Sequence, residues 1–418
     1  MVQSRTQSAE SPPSGSSARL PLLDVLRGVA IIGTLGTNVW IFASLGAEAS
    51  LLSGGGEFGT IDEALADPSA ESVVTGVFRW FANGKFLTML TVLFGVGLAI
   101  QFRSAAKRGA RWPGPYMWRA LFLFFEGLVH FTLVFAYDVL MGYAVTAIVV
   151  AWLLTRSERA RSIAMWSGAV LNVAFMSLLT AGLVYVTRAF DGPDAAAADP
   201  PRPDPEAVRL FAEGGYLEQV AWRLDNFFGV LRAEPVIAFP LMVFLFLLGI
   251  RLFRAGAFGD DATGRRIRLR LMAWGLGAGI PLHAATALIG PEFFLVDRYV
   301  AAPIVGIGLL GLVGWIMDRV RTTGPLVTGV SALGRAALSG YVLQNVMAML
   351  ACYGIGLGLA ARLSGTGPWW VIGLWAAISL TLMAGATLWL RRFDHGPFET
   401  LQKWTLSEIP DRRSEASR

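Results

Sequence analysis

Long apolar stretches constrain the fold of this chain more than any other feature of its sequence. About 20 residues of apolar α-helix cross the hydrocarbon core of a bilayer, which is about 30 Å thick. The candidate spans lie near 22–46, 86–102, 117–136, 139–155, 163–187, 236–253, 271–290, 299–318, 338–361 and 369–390. Because 54% of the residues are hydrophobic and only 16% are charged, no soluble fold could bury this much apolar surface. The sequence therefore predicts an all-α, polytopic transmembrane bundle of about ten spans.

The segments outside the spans predict three parts. Residues 1–20 are rich in Ser, Pro and Gln and contain no apolar run, which predicts a disordered cytoplasmic tail and no cleavable signal peptide. Residues 21–390 are expected to form the transmembrane domain, and residues 391–418 a cytoplasmic C-terminal tail. Segment 72–85 is predicted to be an interfacial or re-entrant lead-in to the second span.

The positions of the basic residues predict the orientation. Connections 103–119, 156–161 and 251–270 are rich in Arg and Lys, whereas the connections that alternate with them are acidic or mixed. The positive-inside rule places the basic connections and both termini in the cytoplasm. This distribution explains the formal charge of +5 without nucleic acid as a partner.

One connection on the opposite side, 188–234, is much longer than the others. Its first half, DGPDAAAADPPRPDP, is typical of a linker, and its second half has apolar residues at helical spacing. The second half is expected to lie along the outer membrane interface or, alternatively, to form a lid over a cavity.

Polar residues inside the spans are the candidates for function, because an ionisable side chain in a bilayer usually faces a cavity or a partner. In the first span Asp24 and Arg27 are three residues apart and can pair on one helix face, with Asn38 near the same face. The alternatives are a substrate pocket and an interfacial salt bridge that anchors the helix end.

His130, in the third span, is the candidate general base. Glu126 precedes it at i,i+4 spacing, and Asp138 follows at the turn into the fourth span. Either carboxylate could fix the tautomer of the imidazole and raise its basicity. A straight helix would keep Asp138 about 12 Å from His130, although the turn could fold it back. The alternative is a buried neutral histidine that bonds to a backbone carbonyl.

The ninth span is polar at its inner end. Arg335 stands at its mouth, and Tyr341, Gln344 and Asn345 follow along it. An arginine beside hydroxyl and amide groups suits a phosphate-bearing ligand. The alternative is that Arg335 is one of the basic residues that flank spans on the cytoplasmic side, and that the other polar side chains form hydrogen bonds between helices.

Two further ionisable residues lie in other spans. Lys85 stands at the mouth of the second span, where it could line the substrate pocket or extend to lipid headgroups. His283 follows Pro281 in the seventh span and could complete a cavity with His130. Because the chain has three scattered histidines and only one cysteine, Cys352, no metal site is expected.

Five motifs resemble, in order, those of the YeiB family of bacterial membrane proteins. They are LDVLRG (23–28), GKFLTMLTVLFGVG (84–97), VHFTLVFAYDVLMGYA (129–144), LGRAALSGYVLQN (333–345) and HGPFETLQKWTL (395–406). The resemblance covers nearly all of the chain beyond residue 20 and implies a multi-pass protein of the bacterial cytoplasmic membrane.

That family is similar in fold and opening motif to the transmembrane acyltransferases, which include the heparan-α-glucosaminide N-acetyltransferases. The similarity implies acetyl-CoA or another acyl-CoA as a cytoplasmic co-substrate, no permanently bound cofactor, a glycan or lipid acceptor, and a membrane-embedded catalytic histidine. The resemblance implies a role for the residues that match its motifs. Asp24 and Arg27 match the opening motif, and His130 and Asp138 match the third motif. Arg335, Tyr341 and Gln344 match the fourth motif. Two positions depart from the pattern, since Asn38 stands where many acyltransferases have histidine and Asn345 where serine is usual.

These observations lead to a working hypothesis of acyl transfer within or across the membrane. Arg27 and Arg335 would hold the donor, His130 would act as the base, and Asn38 would stabilise the oxyanion. A transporter for a small solute or lipid is the rival, and a non-catalytic partner in an envelope assembly is a third reading. A homo-oligomer is compatible with all three.

Overall fold

A computed structural model describes residues 21–50, 68–190 and 204–407. The predicted tail 1–20, most acidic residues of the first connection, the first part of the linker in connection 188–234 and the last residues of the C-terminal tail lie outside these ranges. Within the described ranges every regular element is helical.

The helices are numbered in chain order. Those before the long connection are α1 (Pro21–Ala43), α2 (Ala47–Ser50), α3 (Ala70–Ala82), α4 (Lys85–Lys107), α5 (Tyr116–Leu133), α6 (Leu140–Leu153) and α7 (Glu158–Phe190). Those after it are α8 (Pro205–Glu213), α9 (Tyr216–Asp225), α10 (Phe227–Arg254), α11 (Ala262–Ile289), α12 (Ala302–Met317), α13 (Pro325–Arg335), α14 (Ala337–Cys352), α15 (Leu359–Arg362), α16 (Trp369–Trp389) and α17 (Pro397–Ser407). Irregular helical turns, ending in a π-helical segment at Asp297–Ala301, lead into α12.

Each predicted span overlaps one of these helices. By length and composition, seven helical segments of the described chain can cross a membrane, and the bent pair α13–α14 makes an eighth. The apolar helix α6 has 14 residues and falls short of that length. The all-α, multi-pass bundle is therefore confirmed, whereas the number of spans and the side of the termini stay predictions.

The helix in the ninth predicted span is shorter than expected. It ends at Cys352, because Tyr353 is extended and Gly354 donates its N–H to the carbonyl of Phe211 at 3.0 Å. A Cβ on Gly354 would lie 1.9 Å from the carbonyl oxygen of Ala212. At its start, α14 meets α13 at an angle of 97°.

Small residues set the closest helix contacts, as is usual in membranes. A Cβ on Gly275 of α11 would lie 2.4 Å from the Cα of Gly308 of α12. A Cβ on Gly95 of α4 would lie 2.1 Å from the carbonyl oxygen of Phe246 of α10. Gly97, two residues further along α4, differs from Gly95, because a Cβ on Gly97 would meet nothing within 4 Å. Only Gly95 therefore requires glycine for packing.

The lead-in predicted at 72–85 is α3, which joins α4 through a two-residue turn at Asn83 and Gly84. Gly84 makes the turn with φ of +68°. A Cβ there would lie 2.9 Å from the carbonyl oxygen of Arg298. The turn therefore needs glycine on both conformational and steric grounds, and it brings the start of α4 against the π-helical segment.

Helices α8 and α9, in the second half of the long connection, pack against one end of the bundle. Arg223 is fully buried there and pairs with Glu48 at 3.1 Å. The hydroxyl of Tyr353 donates to the same carboxylate at 2.8 Å. The opposite face of α9 exposes Leu217 and Leu224. One face thus caps the bundle and the other is open to the surroundings.

Candidate functional site

His130 and Asp138 are in direct contact. The helix α5 ends at Leu133, and the turn that follows folds Asp138 back, so that its Oδ2 lies 2.9 Å from His130 Nδ1. The other oxygen of Asp138 accepts the N–H groups of Leu140 at 2.8 Å and Met141 at 3.1 Å. This carboxylate therefore caps α6 and fixes the proton of His130 on Nδ1, which leaves Nε2 as an acceptor.

Two asparagines complete the contacts of His130. Asn345 of α14 donates to His130 Nε2 at 3.2 Å, and Asn38 of α1 donates to the Asn345 carbonyl at 3.0 Å. The aromatic ring of Tyr341 lies 5.4 Å from the imidazole, centre to centre. All these side chains are buried. We call the chain Asp138–His130–Asn345–Asn38 the His130 network.

A cavity of about 1110 Å³, including its open mouth, lies where α1, α4, α5 and α14 begin or end. Three of its lining residues are arginines, Arg27, Arg119 and Arg335, and Tyr341 forms part of its inner wall. Glu399 of α17 also lines it and accepts hydrogen bonds at the N-terminus of α14. We call this space the basic cavity.

Two smaller cavities lie beyond Tyr341. The polar cavity, of about 460 Å³, is lined by Asn38, Tyr341 and Arg298 together with Thr34 and Thr37. The apolar cavity, of about 720 Å³, is lined mainly by hydrocarbon side chains of α4, α6 and α10.

The three cavities are linked by shared walls. The polar and apolar cavities have in common Gly84, Leu87, Tyr137, Val139 and Arg298. Tyr341 belongs to the walls of both the polar and the basic cavity. The His130 network borders the first two, because Asn38 lines the polar cavity and Asp138 the apolar cavity.

A second buried histidine lies in a separate network. His283 Nδ1 is 2.5 Å from Asp297 Oδ1, and its Nε2 contacts the ammonium group of Lys85. The indole of Trp80 stacks on the imidazole with ring centres 4.8 Å apart. Asp297 also accepts from Thr286 at 2.5 Å. His283 and His130 are thus held by different carboxylates and share no hydrogen bond among those described.

Lys85 points into the protein instead of extending to the membrane surface. Its side chain is 1% exposed, and its ammonium group also donates to the carbonyl of Trp80. Asn83 connects this network to the cavities, because its Oδ1 accepts from Arg298 at 2.6 Å. Lys85 and Arg298 therefore bring two basic side chains to the turn between α3 and α4.

The remaining predicted residues do not join the His130 network. Asp24 and Arg27 form an ion pair at 3.6 Å. The carboxylate of Glu126 and the amide of Gln344 are buried and make no hydrogen bond among the described residues. Gln344 also lies outside the walls of the three cavities. Asp138 rather than Glu126 is thus the carboxylate that orients His130.

Several residues of the cavity walls and of the His283 network were not predicted from the sequence. Asp297 and Arg298 stand immediately before the eighth span, and two adjacent charges at a span boundary were a usable signal. In the sequence Arg119 is one of several basic residues in its connection, and Glu399 lies within the tail motif, so neither stands out as a wall residue. In the described part of the chain, no group of three or more His, Cys, Asp and Glu side chains could hold a metal ion.

Comparisons with known proteins agree with the motifs. A family model described as "Protein of unknown function (DUF418)" matches residues 252–407, which include His283, Arg298 and Arg335. "Uncharacterized protein YxaH" of Bacillus subtilis (strain 168) is 24% identical over 401 residues, covering 93% of this chain and 94% of the relative. "Uncharacterized protein YeiB" of Escherichia coli (strain K12) is 26% identical over 400 residues, covering 91% and 94%. No solved structure matches the chain significantly. The chain is therefore a multi-pass membrane protein that is similar to YxaH and YeiB over most of its length and matches the DUF418 family model in residues 252–407.

Proposed function

We propose that this protein is an acyltransferase of the bacterial cytoplasmic membrane, which moves an acyl group, such as acetyl, from acyl-CoA to an acceptor in the membrane or beyond it. One observation carries the proposal. An oriented imidazole, His130, contacts Tyr341, and this tyrosine forms a wall of both the basic and the polar cavity. The side chain of Tyr341 thus lies between the basic cavity and the candidate base His130.

The basic cavity suits the donor. Coenzyme A carries phosphates, and arginine guanidinium groups bind phosphate through paired N–H donors. Arg27, Arg119 and Arg335 line this cavity, and the positive-inside rule places it on the cytoplasmic side, where acyl-CoA is available. The thioester would extend towards Tyr341.

The His130 network suits the chemistry. An acceptor hydroxyl or amine would replace Asn345 at His130 Nε2 and attack the thioester carbonyl. The new bond to carbon forms as the acceptor proton passes to Nε2, and Asp138 stabilises the resulting imidazolium. The carbon–sulfur bond then breaks, and the coenzyme A thiolate takes the proton from His130. The amide of Asn38, in the polar cavity, would donate to the oxyanion.

Acetyl-CoA binding to the purified protein in detergent, measured by calorimetry, tests the donor site. Arg335→Ala should weaken binding about tenfold or more, because a hydrogen bond to a charged group contributes about 1.5–3 kcal/mol. His130→Ala should bind acetyl-CoA like the wild type, and Arg392→Ala, at an exposed position, serves as the charge control. Failure of several acyl-CoA species to bind the wild type would contradict the proposal.

The Lys85–His283–Asp297 network is the observation that favours the rival, a proton-coupled transporter. Buried ionisable chains in membranes commonly act as proton relays. A transporter would move substrate across sealed vesicles without chemical change, and Lys85→Met would abolish that flux. Acyl transfer instead leaves a covalently modified acceptor, so product analysis separates the two functions.

A further inference from the structure

We infer that Glu48 and Arg223 are positioning residues for His130, which they reach through the turn that carries Asp138. The inference rests on the proposed function, in which His130 is the base and Asp138 orients it. It adds a requirement to that function, because the cap formed by α8 and α9 must then be docked for His130 to be oriented.

The turn between α5 and α6 is held at its beginning, its middle and its end. The N–H groups of residues 134 and 135 donate to the carbonyl of His130 at 2.8 and 3.0 Å. The N–H group of Ala136 donates to Glu48 Oε1 at 2.7 Å. Asp138 closes the turn by accepting N–H groups at the start of α6. Glu48 therefore fixes the middle of the turn from a part of the chain outside α5 and α6.

The contact between Ala136 and Glu48 is buried, since the two residues are 3% and 1% exposed. A buried N–H group without an acceptor is unfavourable, so the turn would rearrange to pair it if Glu48 were lost. The hydroxyl of Tyr137 adds a second link, because it donates to the backbone carbonyl of Glu48 at 3.0 Å. Asp138 is the next residue, and a rearranged turn would therefore move the carboxylate that contacts His130.

Arg223 of α9 holds the Glu48 carboxylate in place. Its Nε lies 3.3 Å from Glu48 Oε1 and its Nη2 lies 3.1 Å from Oε2, so two N–H donors meet the two carboxylate oxygens. Both side chains are fully buried. A buried carboxylate needs a counter-charge to stay ionised in place. Loss of Arg223 would therefore also disturb the contact between Glu48 and the turn.

Helix α9 also packs directly on the neighbouring chain. The hydroxyl of Tyr216, at the start of α9, donates to the carbonyl of Leu133 at 3.0 Å. Trp222 of the same helix packs against a buried apolar cluster that includes Phe131 and Ala136. The cap therefore contacts the end of α5 as well as the turn.

The tautomer of His130 tests the inference without an activity measurement. Nitrogen-15 spectra of the full chain in detergent, with only histidine labelled, contain signals from three residues, and His130→Gln identifies the signal of His130. The wild type should carry the proton on Nδ1. In Glu48→Gln the signal should shift towards the Nε2 tautomer. The maximal rate of acyl transfer should fall by up to about 10²-fold through misplacement of the base, while acetyl-CoA affinity is retained.

A second buried ion pair supplies the matched control. Asp318→Asn breaks the largely buried pair with Arg268 and should leave the His130 signal unchanged. Arg223→Lys keeps the charge but loses the paired donors, so it should give a smaller shift in the same direction, even if Glu48→Gln does not fold. An unchanged His130 signal in the folded cap variants, or an equal shift in Asp318→Asn, would overturn the inference. Shifted signals in the cap variants, with no acyl transfer by the wild type, would support the positioning and contradict the proposed function alone.

Discussion

Asn345 donates a hydrogen bond of 3.2 Å to His130, although 215 residues separate them in the chain. The contact joins α14 to α5, and the further bond from Asn38 adds α1. Three helices from distant parts of the sequence therefore meet at one imidazole. A network that links several helices should couple their energetics as well as position a base.

The first prediction concerns the energetic coupling between Asn38 and Asn345. A double-mutant cycle with Asn38→Ala and Asn345→Ala should give a coupling of about 0.6 kcal/mol, the average found for hydrogen bonds between membrane helices, and at most about 1.7 kcal/mol. The measurement is the free energy of unfolding in mixed micelles titrated with denaturing detergent. The control cycle combines Asn38→Ala with Asn172→Ala, because Asn172 bonds to the carbonyl of Tyr299 instead. The changes in unfolding free energy of these two variants should be additive. Additivity of Asn38 and Asn345 would contradict the network.

The second prediction concerns Asp138. In Asp138→Asn the amide can still accept from the N-terminus of α6, but it can no longer stabilise an imidazolium at His130. The acyl transfer rate should fall about 10²-fold or more while acetyl-CoA affinity is retained. Asp260→Asn, whose side chain is 95% exposed, is the matched control. An Asp138→Asn variant with the wild-type rate would exclude Asp138 from this role.

The third prediction compares two glycines of one helix. Gly95→Ala places a Cβ against the backbone of Phe246 and should destabilise the protein by about 1–3 kcal/mol through overpacking. Gly97→Ala meets open space, so its higher helix propensity should stabilise by up to about 1 kcal/mol. Unfolding midpoints in detergent measure both. Opposite signs are expected, and equal destabilisation would show that α4 and α10 pack differently.

The fourth prediction concerns the cap formed by α8 and α9. Glu48→Gln leaves the buried Arg223 without its counter-charge and should cost about 3–5 kcal/mol. Asp260→Asn breaks the exposed pair with Arg265, and that loss should stay below about 1 kcal/mol. Thermal unfolding in detergent compares the two. Similar small losses would mean that the buried pair does not hold the cap.

The sequence predicted the helices of this bundle well, because apolar length is a local property. The expected span at 369–390 coincides with α16, Trp369–Trp389. The ends were predicted less well where tertiary contacts decide them. The helix predicted to reach residue 361 ends at Cys352, because Gly354 pairs with the backbone of α8.

The contacts of the site could be predicted only where they are close in sequence. The turn after α5 made a meeting of His130 and Asp138 conceivable, and the structure brings them to 2.9 Å. The contact between Lys85 and His283 spans 198 residues, and no local pattern encodes it. Helical spacing placed Glu126 on the face of His130 and kept Asp138 about 12 Å away on a straight helix. Only the fold shows that Asp138 is the carboxylate that bonds to His130.

The central claim is that His130 acts as the base in acyl transfer. The most direct test supplies radiolabelled acetyl-CoA to membrane vesicles that contain the wild type or His130→Gln, and then measures label in the lipid and glycan fractions. The account predicts incorporation by the wild type and a loss of about 10²-fold or more in His130→Gln. Equal incorporation by both proteins, or none by the wild type, would contradict it.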